Sequence, residues 1–508
     1  MTIAHTGCIA LQGLDGALVD VEADIASGLP SFTIIGLPDA ALAESRDRVR
    51  AAAANSGCPL TTHKLTINLS PASLPKHGSG FDLAIALAAL AAAGAVSADS
   101  VASHVHLGEL ALDGRLRPMT GVLPAVLGAA RAGAKRVMVP EANANEARLV
   151  PGIEVVPVAS LREAAIRHGG EYLPEPVEPW PAPAPDDVPS AEPDLADVIG
   201  NEEAVQAMLV AAAGGHHVFL LGPPGAGKTM LAERLPGLLP ALTSDASVEA
   251  TSIRSLTGLP VGGRLVTRPP FEAPHHTATA AAIVGGGSGR IRPGAAVRAA
   301  HGVLFLDEAP EFASSVLDVL RQPLESGQIR IHRAAGSAVF PGRFQLVLAA
   351  NPCPCGQYGA PDSHCTCAPF TRRRYLARVS GPLMDRIDVR LTLRRVTAVQ
   401  LRLNDEGVGT STPDARARVA AARAAARERL HGTPWRTNGE VPGTWLRDRR
   451  NGLGASTTAA LDRALEHGAI TMRGYDRALR LAWSAADIAG AARPSTEHIG
   501  MALLLRRG

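Results

Sequence analysis

The stretch from Val218 to Thr229 constrains the fold of this chain more than any other part of the sequence. It reads Val-Phe-Leu-Leu-Gly-Pro-Pro-Gly-Ala-Gly-Lys-Thr, an apolar run that predicts a buried strand, followed by the pattern G-x-x-x-x-G-K-[ST]. The next residues, Met230 to Leu239, are predicted to form a helix. Glycines in such a loop let backbone N–H groups converge on phosphates, and the helix N-terminus adds a positive dipole end. We therefore predict an α/β fold built around a phosphate-binding loop.

The loop predicts ATP and Mg²⁺ as the bound species. Lys228 is expected to reach the β- and γ-phosphates, and the Thr229 hydroxyl is expected to hold Mg²⁺. Only four residues of the chain are lysine, so a lysine at this position strengthens the interpretation. A plain Gly-Pro turn between a strand and a helix is the alternative. The predicted nucleotide-binding residues of the loop are Gly222, Pro223, Pro224, Gly225, Ala226, Gly227, Lys228 and Thr229.

Polar residues also end two later apolar runs. His301 to Glu308 ends in two carboxylates, of which Asp307 is placed to orient the Mg²⁺ shell and Glu308 to polarise the attacking water. Surface acids that merely end a buried strand are the alternative. The run Phe344 to Ala350 ends at Asn351, and ligands lie at the carboxyl ends of parallel strands. We therefore expect Asn351 to help position the water.

The chain divides by composition into four segments. Residues 1–173 alternate strand-like and helix-like runs and are predicted to form an α/β or α+β domain. Residues 174–193 hold eight prolines and are predicted to be a stiff, extended linker. Residues 194–395 alternate strands and helices around the phosphate-binding loop, and residues 396–508 are predicted to be helical.

The hydrophobic pattern also predicts individual elements. In the first segment these are strands Ala17–Ile25, Phe32–Ile35, Lys64–Leu69, Val105–Leu110 and Arg136–Val139 and helices Ala40–Ser56, Asp82–Ala93 and Val122–Ala132. In the last segment they are helices Asp414–Leu430, Ser456–His467, Tyr475–Ala489 and Thr496–Leu505.

Composition limits the class of protein. Apolar residues make up 46% of the chain and charged residues 19%, as in folded globular proteins. The net charge is +2, so any contact with DNA must be local. The N-terminus lacks the pattern of a signal peptide, and the longest apolar run, Phe81–Val96, contains Asp82 and is too short to span a bilayer. We predict a cytoplasmic protein that does not bind membranes.

Four of the six cysteines form the pattern C-x-C-x₉-C-x-C, an insertion over residues 353–367. Cys353, Cys355, Cys365 and Cys367 can supply a tetrahedral zinc site, although the C-x-C spacing is tighter than usual. His364 is a possible substitute ligand. Two disulfides or four free thiols are the alternative. A reducing compartment disfavours the disulfides.

Residues 325–340 are predicted to form a β-hairpin with basic residues on its outward face. Arg330, His332 and Arg333 are candidates for gripping DNA phosphates without reading the sequence. An exposed polar hairpin with no ligand is the alternative, since two arginines make a thin basic patch.

Together these features resemble the AAA+ ATPases, and more narrowly the magnesium-chelatase-like AAA+ ATPases of the ComM/YifB family. The resemblance extends over essentially the whole chain. The matching blocks are Asp197–Asn201, Ala273–Thr277, Arg321–Glu325, Asn351–Gly356 and Gly381–Asp388. It implies a P-loop AAA+ module with a helical C-terminal lid similar to that of magnesium chelatase. It further implies a homo-oligomeric ring, a hexamer, with ATP between the subunits and the hairpin pointing into the pore.

The same resemblance assigns roles to residues that the sequence pattern alone leaves open. Arg386 would be the finger that reaches a neighbour's γ-phosphate, although an arginine flanked by acids could also be a surface ion pair. Arg473 is the candidate for sensing nucleotide from the lid, with two later arginines as rivals. Val198 and Ile199 would line the adenine pocket.

The N-terminal segment resembles a Lon-protease-like domain with a ribosomal S5 domain 2-like fold, on the residues Pro75–Asp82 and the helix after them. Lon-type proteolysis requires a serine activated by a lysine. Those two positions fall on Gly80 and Leu123 here, and no lysine stands near enough to Ser79 in the motif to activate it. We therefore expect no proteolysis, and a scaffold or nucleic-acid-binding role for this domain.

Three functions fit the resemblance. The favoured one is an ATP-driven DNA helicase that promotes branch migration when incoming DNA recombines. The alternatives are a metal-insertion motor subunit of the magnesium chelatase type and a protein-remodelling ATPase that binds no DNA.

Overall fold

The computed structural model describes residues 2–36, 40–60, 63–76, 78–181, 192–287, 291–333, 336–359, 364–397, 400, 409–448 and 451–507. Within them the chain forms an N-terminal α/β part, a central part around a parallel sheet, and a helical C-terminal part. Much of the predicted linker, residues 182–191, lies outside the described residues.

The N-terminal part contains nine strands and six helices. The strands are β1 (Thr2–Gln12), β2 (Asp15–Ala26), β3 (Ser31–Ile35), β4 (Lys64–Ser70), β5 (Val105–His106), β6 (Glu109–Leu110), β7 (Leu116–Arg117), β8 (Arg136–Pro140) and β9 (Glu154–Val158). The helices are α1 (Ala40–Asn55), α2 (Asp82–Ala92), α3 (Ala98–Ala102), α4 (Val122–Arg131), α5 (Ala144–Ala147) and α6 (Leu161–Arg167). Seven strands form a mixed sheet in the order β3-β4-β2-β1-β5-β8-β9, and β6 pairs with β7 in a separate ladder.

The apolar run that begins at Phe81 is a fully buried helix, as predicted. Every residue of α2 is buried, including Asp82. The Asp82 carboxylate accepts a hydrogen bond from Arg48 Nε at 2.9 Å and one from the Leu110 N–H at 3.2 Å. Burial raises the pKa of Asp82, and these partners act against that rise. Pairing explains how a carboxylate is tolerated inside an apolar helix.

The structure corrects two predictions in this part. β1 was not predicted, yet it pairs along its whole length with β2 in the centre of the sheet. The predicted strand Val105–Leu110 was wrong as one element, because it divides into β5 and β6 in two different sheets. The break lies at Gly108, whose N–H donates to the Gly80 carbonyl at 3.1 Å instead of to a strand partner.

The central part contains nine further strands and nine helices. The strands are β10 (Val218–Leu221), β11 (Phe271–Glu272), β12 (Gly285–Gly286), β13 (Arg292–Pro293), β14 (Val303–Leu306), β15 (Gln328–Arg333), β16 (Gly336–Pro341), β17 (Gln345–Ala350) and β18 (Val389–Thr392). The helices are α7 (Glu202–Gly214), α8 (Lys228–Leu238), α9 (Ser244–Thr257), α10 (Ala280–Val284), α11 (Ala295–Arg298), α12 (Ser314–Asp318), α13 (Arg321–Ser326), α14 (Pro369–Leu376) and α15 (Gly381–Met384).

The central sheet is entirely parallel in the order β11-β14-β17-β10-β18. Its middle strands are continuous apolar runs, as expected of strands covered on both faces. All residues of β14 and β17 are buried. The hairpin predicted over residues 325–340 is present as the antiparallel pair β15 and β16.

The C-terminal part is helical, as predicted. Its helices are α16 (Thr412–Arg429), α17 (Gly443–Leu446), α18 (Ala455–Glu466), α19 (Met472–Ile488) and α20 (Thr496–Arg507). Leu479 and Leu481 of α19 share one hydrophobic core with Met208 of α7 and Val218 of β10. Within the described ranges, no helix combines the length and apolar character needed to cross a membrane.

The N-terminal and central parts contact each other through α9. The Gly121 N–H donates to the Ser255 carbonyl at 3.0 Å. The Ser255 hydroxyl donates to the buried carboxylate of Glu146, which also accepts from the Leu123 N–H at 2.9 Å. Burial raises the pKa of Glu146. A hydrogen-bonded contact of this kind fixes the orientation of the two parts more strictly than apolar packing does.

Candidate nucleotide-binding site

The predicted site residues meet at the carboxyl edge of the central sheet. β10, β14 and β17 are neighbours and parallel, with Leu221 opposite Ala350 and Leu306 opposite Leu348. The phosphate-binding loop, Asp307–Glu308 and Asn351 directly follow these strands. Three predictions made separately from the sequence thus converge on one place.

Lys228 is held in a position from which it can serve a phosphate. Its Nζ donates to the carbonyls of Gly222 and Pro223 at 2.7 and 3.1 Å and to Asn351 Oδ1 at 3.0 Å. Burial lowers the pKa of Lys228, and the nearby carboxylates of Asp307 and Glu308 act against that decrease. The ammonium therefore lies at the base of the loop with its direction fixed by three oxygen atoms.

Thr229 and Asp307 offer oxygen ligands for a Mg²⁺ ion. The Thr229 hydroxyl donates to Asp307 Oδ2 at 3.0 Å, so the two side chains already face one another. Hydroxyl and carboxylate oxygens are the donors that Mg²⁺ prefers, usually with several waters and phosphate oxygens completing the shell. The donor set fits a nucleotide-bound Mg²⁺.

Glu308 has a backbone conformation that is uncommon for its residue type. Its φ is +50°, in the left-handed region, and its N–H donates to Asp307 Oδ1 at 2.8 Å. Its half-exposed carboxylate lies 3.4 Å from His276 Nδ1. Strained conformations of this kind persist where the surrounding structure requires them and are concentrated at functional sites. The Glu308 side chain is among those that line the nucleotide pocket.

A cavity of about 500 Å³ joins these groups. Val198 and Ile199 line it, in the position predicted for the adenine pocket, together with Asn201 and Val396. The remaining lining residues are Asp197, Pro224, Gly225, Ala226, Gly227, Lys228, Thr229, Met230, Asp307, Glu308 and Asn351.

Arg386 lies at the opposite edge of the sheet. β18 runs parallel to β10 with Thr392 opposite Leu221, so residues that precede β18 lie at the amino edge. The Arg386 guanidinium contacts Glu325 and the Pro382 carbonyl. At this edge the Arg386 side chain cannot reach the nucleotide pocket of its own chain. An arginine that acts on the ATP of a neighbouring subunit is expected to lie away from its own pocket.

Arg473 lies in the same cleft as Arg386, not in the nucleotide pocket. The cleft has a volume of about 250 Å³, and Glu325, Arg477 and Arg480 also line it. The Arg473 side chain is 81% exposed and 4.0 Å from Asp385. Arg473 therefore does not face the nucleotide pocket of its own chain. If it senses nucleotide, the nucleotide must be bound by a neighbouring subunit.

Two further polar residues of this region were not singled out from the sequence. Arg395 lies three residues after the end of β18, and its Nε donates to the Pro224 carbonyl of the loop at 3.1 Å. The rule that located Asn351, a polar residue directly after a parallel strand, does not single out Arg395, because Leu393 and Arg394 come before it. His276 was noted only within a family block, and no local pattern indicated that it faces Glu308.

The four predicted zinc ligands come together. The Sγ atoms of Cys353 and Cys355 are 3.3 Å apart, and that of Cys365 lies 3.7 and 3.6 Å from them. All four Sγ atoms, including that of Cys367, lie within 4.8 Å of one another, and none is in a disulfide. A tetrahedral zinc–thiolate site needs sulfurs about 3.8 Å apart. The cluster fits structural zinc.

The cysteine cluster also contacts the phosphate-binding loop. Gly356 has a φ of +75°, and a Cβ at this position would lie 2.8 Å from Pro224. Only glycine permits that close approach. The cluster therefore supports the loop side of the nucleotide pocket.

The hairpin presents part of the predicted basic face. Arg330 and His332 alternate with the buried Ile329 and Ile331 along β15. The side chains of Arg330 and His332 are both exposed, in the predicted outward direction. Arg333 is the last residue of β15, and residues 334–335 lie outside the described residues. Contact with DNA by these residues stays a prediction.

Lys76 and Ser79, which lie close in sequence to the predicted serine position at Gly80, are both engaged in other contacts. Lys76 is fully buried, and its Nζ donates to the carbonyls of Gly36 and Leu69 at 2.8 and 2.9 Å and to that of Pro71. The Ser79 hydroxyl donates instead to the carboxylate of Glu109. A lysine engaged in this way cannot activate Ser79.

Three family models match the chain in sequence order. Residues 21–143 match the subunit ChlI of Mg-chelatase, residues 194–401 match magnesium chelatase subunit ChlI, and residues 409–506 match the C-terminal region of that subunit. Together the matched ranges cover each of the three parts of the fold.

Several relatives match from end to end. An uncharacterized protein of Mycobacterium tuberculosis is 49% identical over 100% of this chain and 99% of its own length. The competence protein ComM of Haemophilus influenzae is 38% identical over 99% of this chain and 97% of its own. The uncharacterized protein YifB of Escherichia coli is 37% identical over 100% of this chain and 97% of its own.

A shorter similarity links the chain to a protease. The Lon protease of Rhizobium meliloti is 29% identical over 197 residues, which are 36% of this chain and 24% of that protein. A similarity to a Lon protease is thus found over part of the chain.

Proposed function

The chain belongs to the magnesium chelatase ChlI-like family, and on that premise we propose that it is a ring-forming ATPase motor that acts on DNA. Membership of the family implies ATP hydrolysis. The more specific proposal is a hexameric helicase that promotes branch migration during recombination of incoming DNA. The observation that carries it is the end-to-end similarity to the competence protein ComM, at 38% identity.

The geometry of the nucleotide site supports a separate role in ATP hydrolysis for each of its polar residues. Lys228 binds the β- and γ-phosphates, while Glu308 accepts a proton from the attacking water and Asn351 orients that water. Mg²⁺ held by Thr229 and Asp307 would offset the charge on the phosphate oxygens. Arg386, supplied by the next subunit, would stabilise the transition-state charge.

The position of Arg386 supports a ring. A residue at the amino edge of the sheet and a pocket at the carboxyl edge form one site only when a second copy brings them together. Such head-to-tail contacts close into rings when the rotation permits. The proposed homo-oligomer, a hexamer, follows from this reasoning together with the family resemblance.

The DNA contact is proposed at the hairpin of β15 and β16. Arg330 and His332 are exposed on β15, which also carries Arg333, and these residues could contact backbone phosphates without regard to sequence. The small net charge of +2 leaves local patches of this kind as the source of affinity.

A metal-insertion motor is the second candidate, because the matching family models carry the name of magnesium chelatase subunit ChlI. Such a motor would hydrolyse ATP at the same site but respond to partner subunits and a porphyrin. A protein-remodelling ATPase would respond to unfolded polypeptide.

The three candidates separate in one ATPase experiment. We expect single-stranded or branched DNA to stimulate ATP hydrolysis, and Lys228→Ala to abolish both basal and stimulated turnover. Stimulation by unfolded polypeptide without any effect of DNA would favour protein remodelling. Porphyrin metallation with chelatase partner subunits, again without an effect of DNA, would favour the second candidate.

A further inference from the structure

The backbone next to Arg386 is held by two arginines of the helical C-terminal part. The Arg386 carbonyl accepts a hydrogen bond from Arg477 Nη1 at 3.0 Å. The carbonyls of Ile387 and Asp388 accept hydrogen bonds from Arg506 Nη1 at 3.0 and 3.3 Å. Three consecutive carbonyls are therefore bound by side chains of α19 and α20.

The carboxylate of Asp388 is the centre of this contact. Its Oδ1 accepts a second hydrogen bond from Arg477 Nη1, and its Oδ2 lies 3.3 Å from His216 Nδ1. His216 Nε2 in turn lies 2.8 Å from the hydroxyl of Ser484 on α19. Asp388 is only 4% exposed, so its charge depends on these partners.

Electrostatics keep Asp388 ionised within this contact. Burial, the largest single influence, acts to raise the pKa of Asp388, but Arg477 and His216 outweigh it and the pKa lies below its usual range. An ionised carboxylate forms stronger hydrogen bonds to a guanidinium than a neutral one does. The contact therefore persists across the neutral pH range.

The segment that carries Arg386 is held on its other side by core packing, since Leu383 and Ile387 are fully buried. α15, which precedes it, is a single turn of four residues. The Arg386 Nε is buried without a hydrogen-bond partner among the described residues, and the guanidinium is engaged by Glu325 and Pro382. The contacts at residues 386–388 add to this core packing and hold the carbonyl of Arg386 itself, from which the side chain leaves the backbone.

We propose that Asp388, with Arg477 and Arg506, is a positioning residue for Arg386 and so controls hydrolysis in the neighbouring subunit. The inference rests on the proposed function, in which Arg386 acts on a neighbour's ATP. It adds that the C-terminal helices of one chain determine whether the next chain's site is complete. A misplacement of about 1 Å in a catalytic group can cost about 100-fold in rate.

The first test is the kinetics of Asp388→Asn in the full-length protein. We expect kcat to fall by about 100-fold, because the carboxylate that orients Arg477 is lost. ATP affinity should stay within about twofold, because Asp388 lies at the edge opposite the pocket. Arg463→Gln, an exposed arginine of α18, is the matched control and should retain wild-type kcat.

Mixed oligomers distinguish positioning from a general structural role. A Lys228→Ala subunit has a dead pocket and an intact finger, whereas an Arg386→Ala subunit has the reverse. Random equimolar mixing should restore about a quarter of wild-type activity, since half the subunits have a live pocket and half of those meet a live finger. Asp388→Asn should behave like the finger variant: mixed with Lys228→Ala it recovers to the same level, and mixed with Arg386→Ala it does not.

Each outcome decides the proposal. Recovery of Arg386→Ala but not of Asp388→Asn, when both are mixed with Lys228→Ala, would overturn the role of Asp388 alone. Absence of recovery for Arg386→Ala would overturn the shared site and the role of Asp388 together. Should Asp388→Asn fail to fold, Arg506→Gln, which removes only the bonds to the Ile387 and Asp388 carbonyls, is scored by the same rules.

Discussion

Replacement of Glu308 by glutamine tests the chemistry assigned to the pocket. Gln retains the length of the side chain and a hydrogen-bonding group toward His276, 3.4 Å away. The substitution also leaves the backbone strain at φ +50° unchanged, because glutamine and glutamate have the same difficulty in adopting that conformation. The change therefore removes a base and a negative charge without altering packing.

The expected magnitude follows from the role of a general base. Removal of such a group typically costs about 10²- to 10⁴-fold in rate, and we expect kcat for ATP hydrolysis of Glu308→Gln to fall by that factor. ATP affinity should stay within about twofold, since Lys228 and the loop that hold the phosphates are unchanged. Steady-state phosphate release and equilibrium binding of a fluorescent ATP analogue measure the two quantities separately.

The matched control is Glu311→Gln, a carboxylate three residues later that lies 3.5 Å from Arg378 and does not line the pocket. It should hydrolyse ATP at the wild-type rate. Turnover by Glu308→Gln within about tenfold of wild type, or loss of ATP binding, would refute the assignment of Glu308 as the water-activating group.

Three further predictions concern other parts of the molecule. Lys228→Ala should weaken ATP binding by about 10- to 100-fold, the value of a charged hydrogen bond, while Lys135→Ala, an exposed lysine, should bind normally; unchanged affinity of Lys228→Ala in equilibrium binding would contradict the phosphate role. Protein purified without chelator should contain one zinc per chain by elemental analysis and Cys355→Ser far less, with Cys58→Ala as control; metal-free wild type would show that the thiols serve another purpose. Burial lowers the pKa of His168 to about 4 and also lowers the pKa of its neighbour His106. Below about pH 6.5 the histidines of the unfolded chain bind protons, whereas those of the folded chain stay neutral until the pH is much lower. The free energy of unfolding should therefore fall as the pH drops from about 6.5 to about 4. Thermal unfolding across that range should show a falling midpoint in wild type and a flatter one in His168→Gln, and a pH-independent midpoint in wild type would contradict this.

The sequence sufficed for the nucleotide pocket because its parts lie at predictable places. A phosphate-binding loop, the Asp307–Glu308 pair and Asn351 each follow a buried apolar strand, and parallel strands bring their carboxyl ends together. The same rule extended to the last strand would not have indicated Arg395, because two residues separate it from that strand. The sequence spacing of the four cysteines was likewise enough to predict that they lie together.

Contacts between distant residues were not predictable in this way. Asp388 is bound by His216, Arg477 and Arg506, and no local pattern relates these positions. Arg473 and Arg477 are equally plausible from the sequence as residues that face nucleotide, and only the fold places both with Arg386 at the other edge. β1 was missed because its position in the sheet depends on pairing with β2 and β5.

The central proposal is that ATP hydrolysis at this pocket drives the movement of DNA strands. The most direct measurement is ATP-dependent branch migration of a synthetic three-strand DNA junction, followed by the release of a labelled strand. We predict release by wild type with ATP, and none by Glu308→Gln or with a non-hydrolysable analogue. Robust ATP hydrolysis by wild type without any strand release, on junctions of either polarity, would contradict the claim.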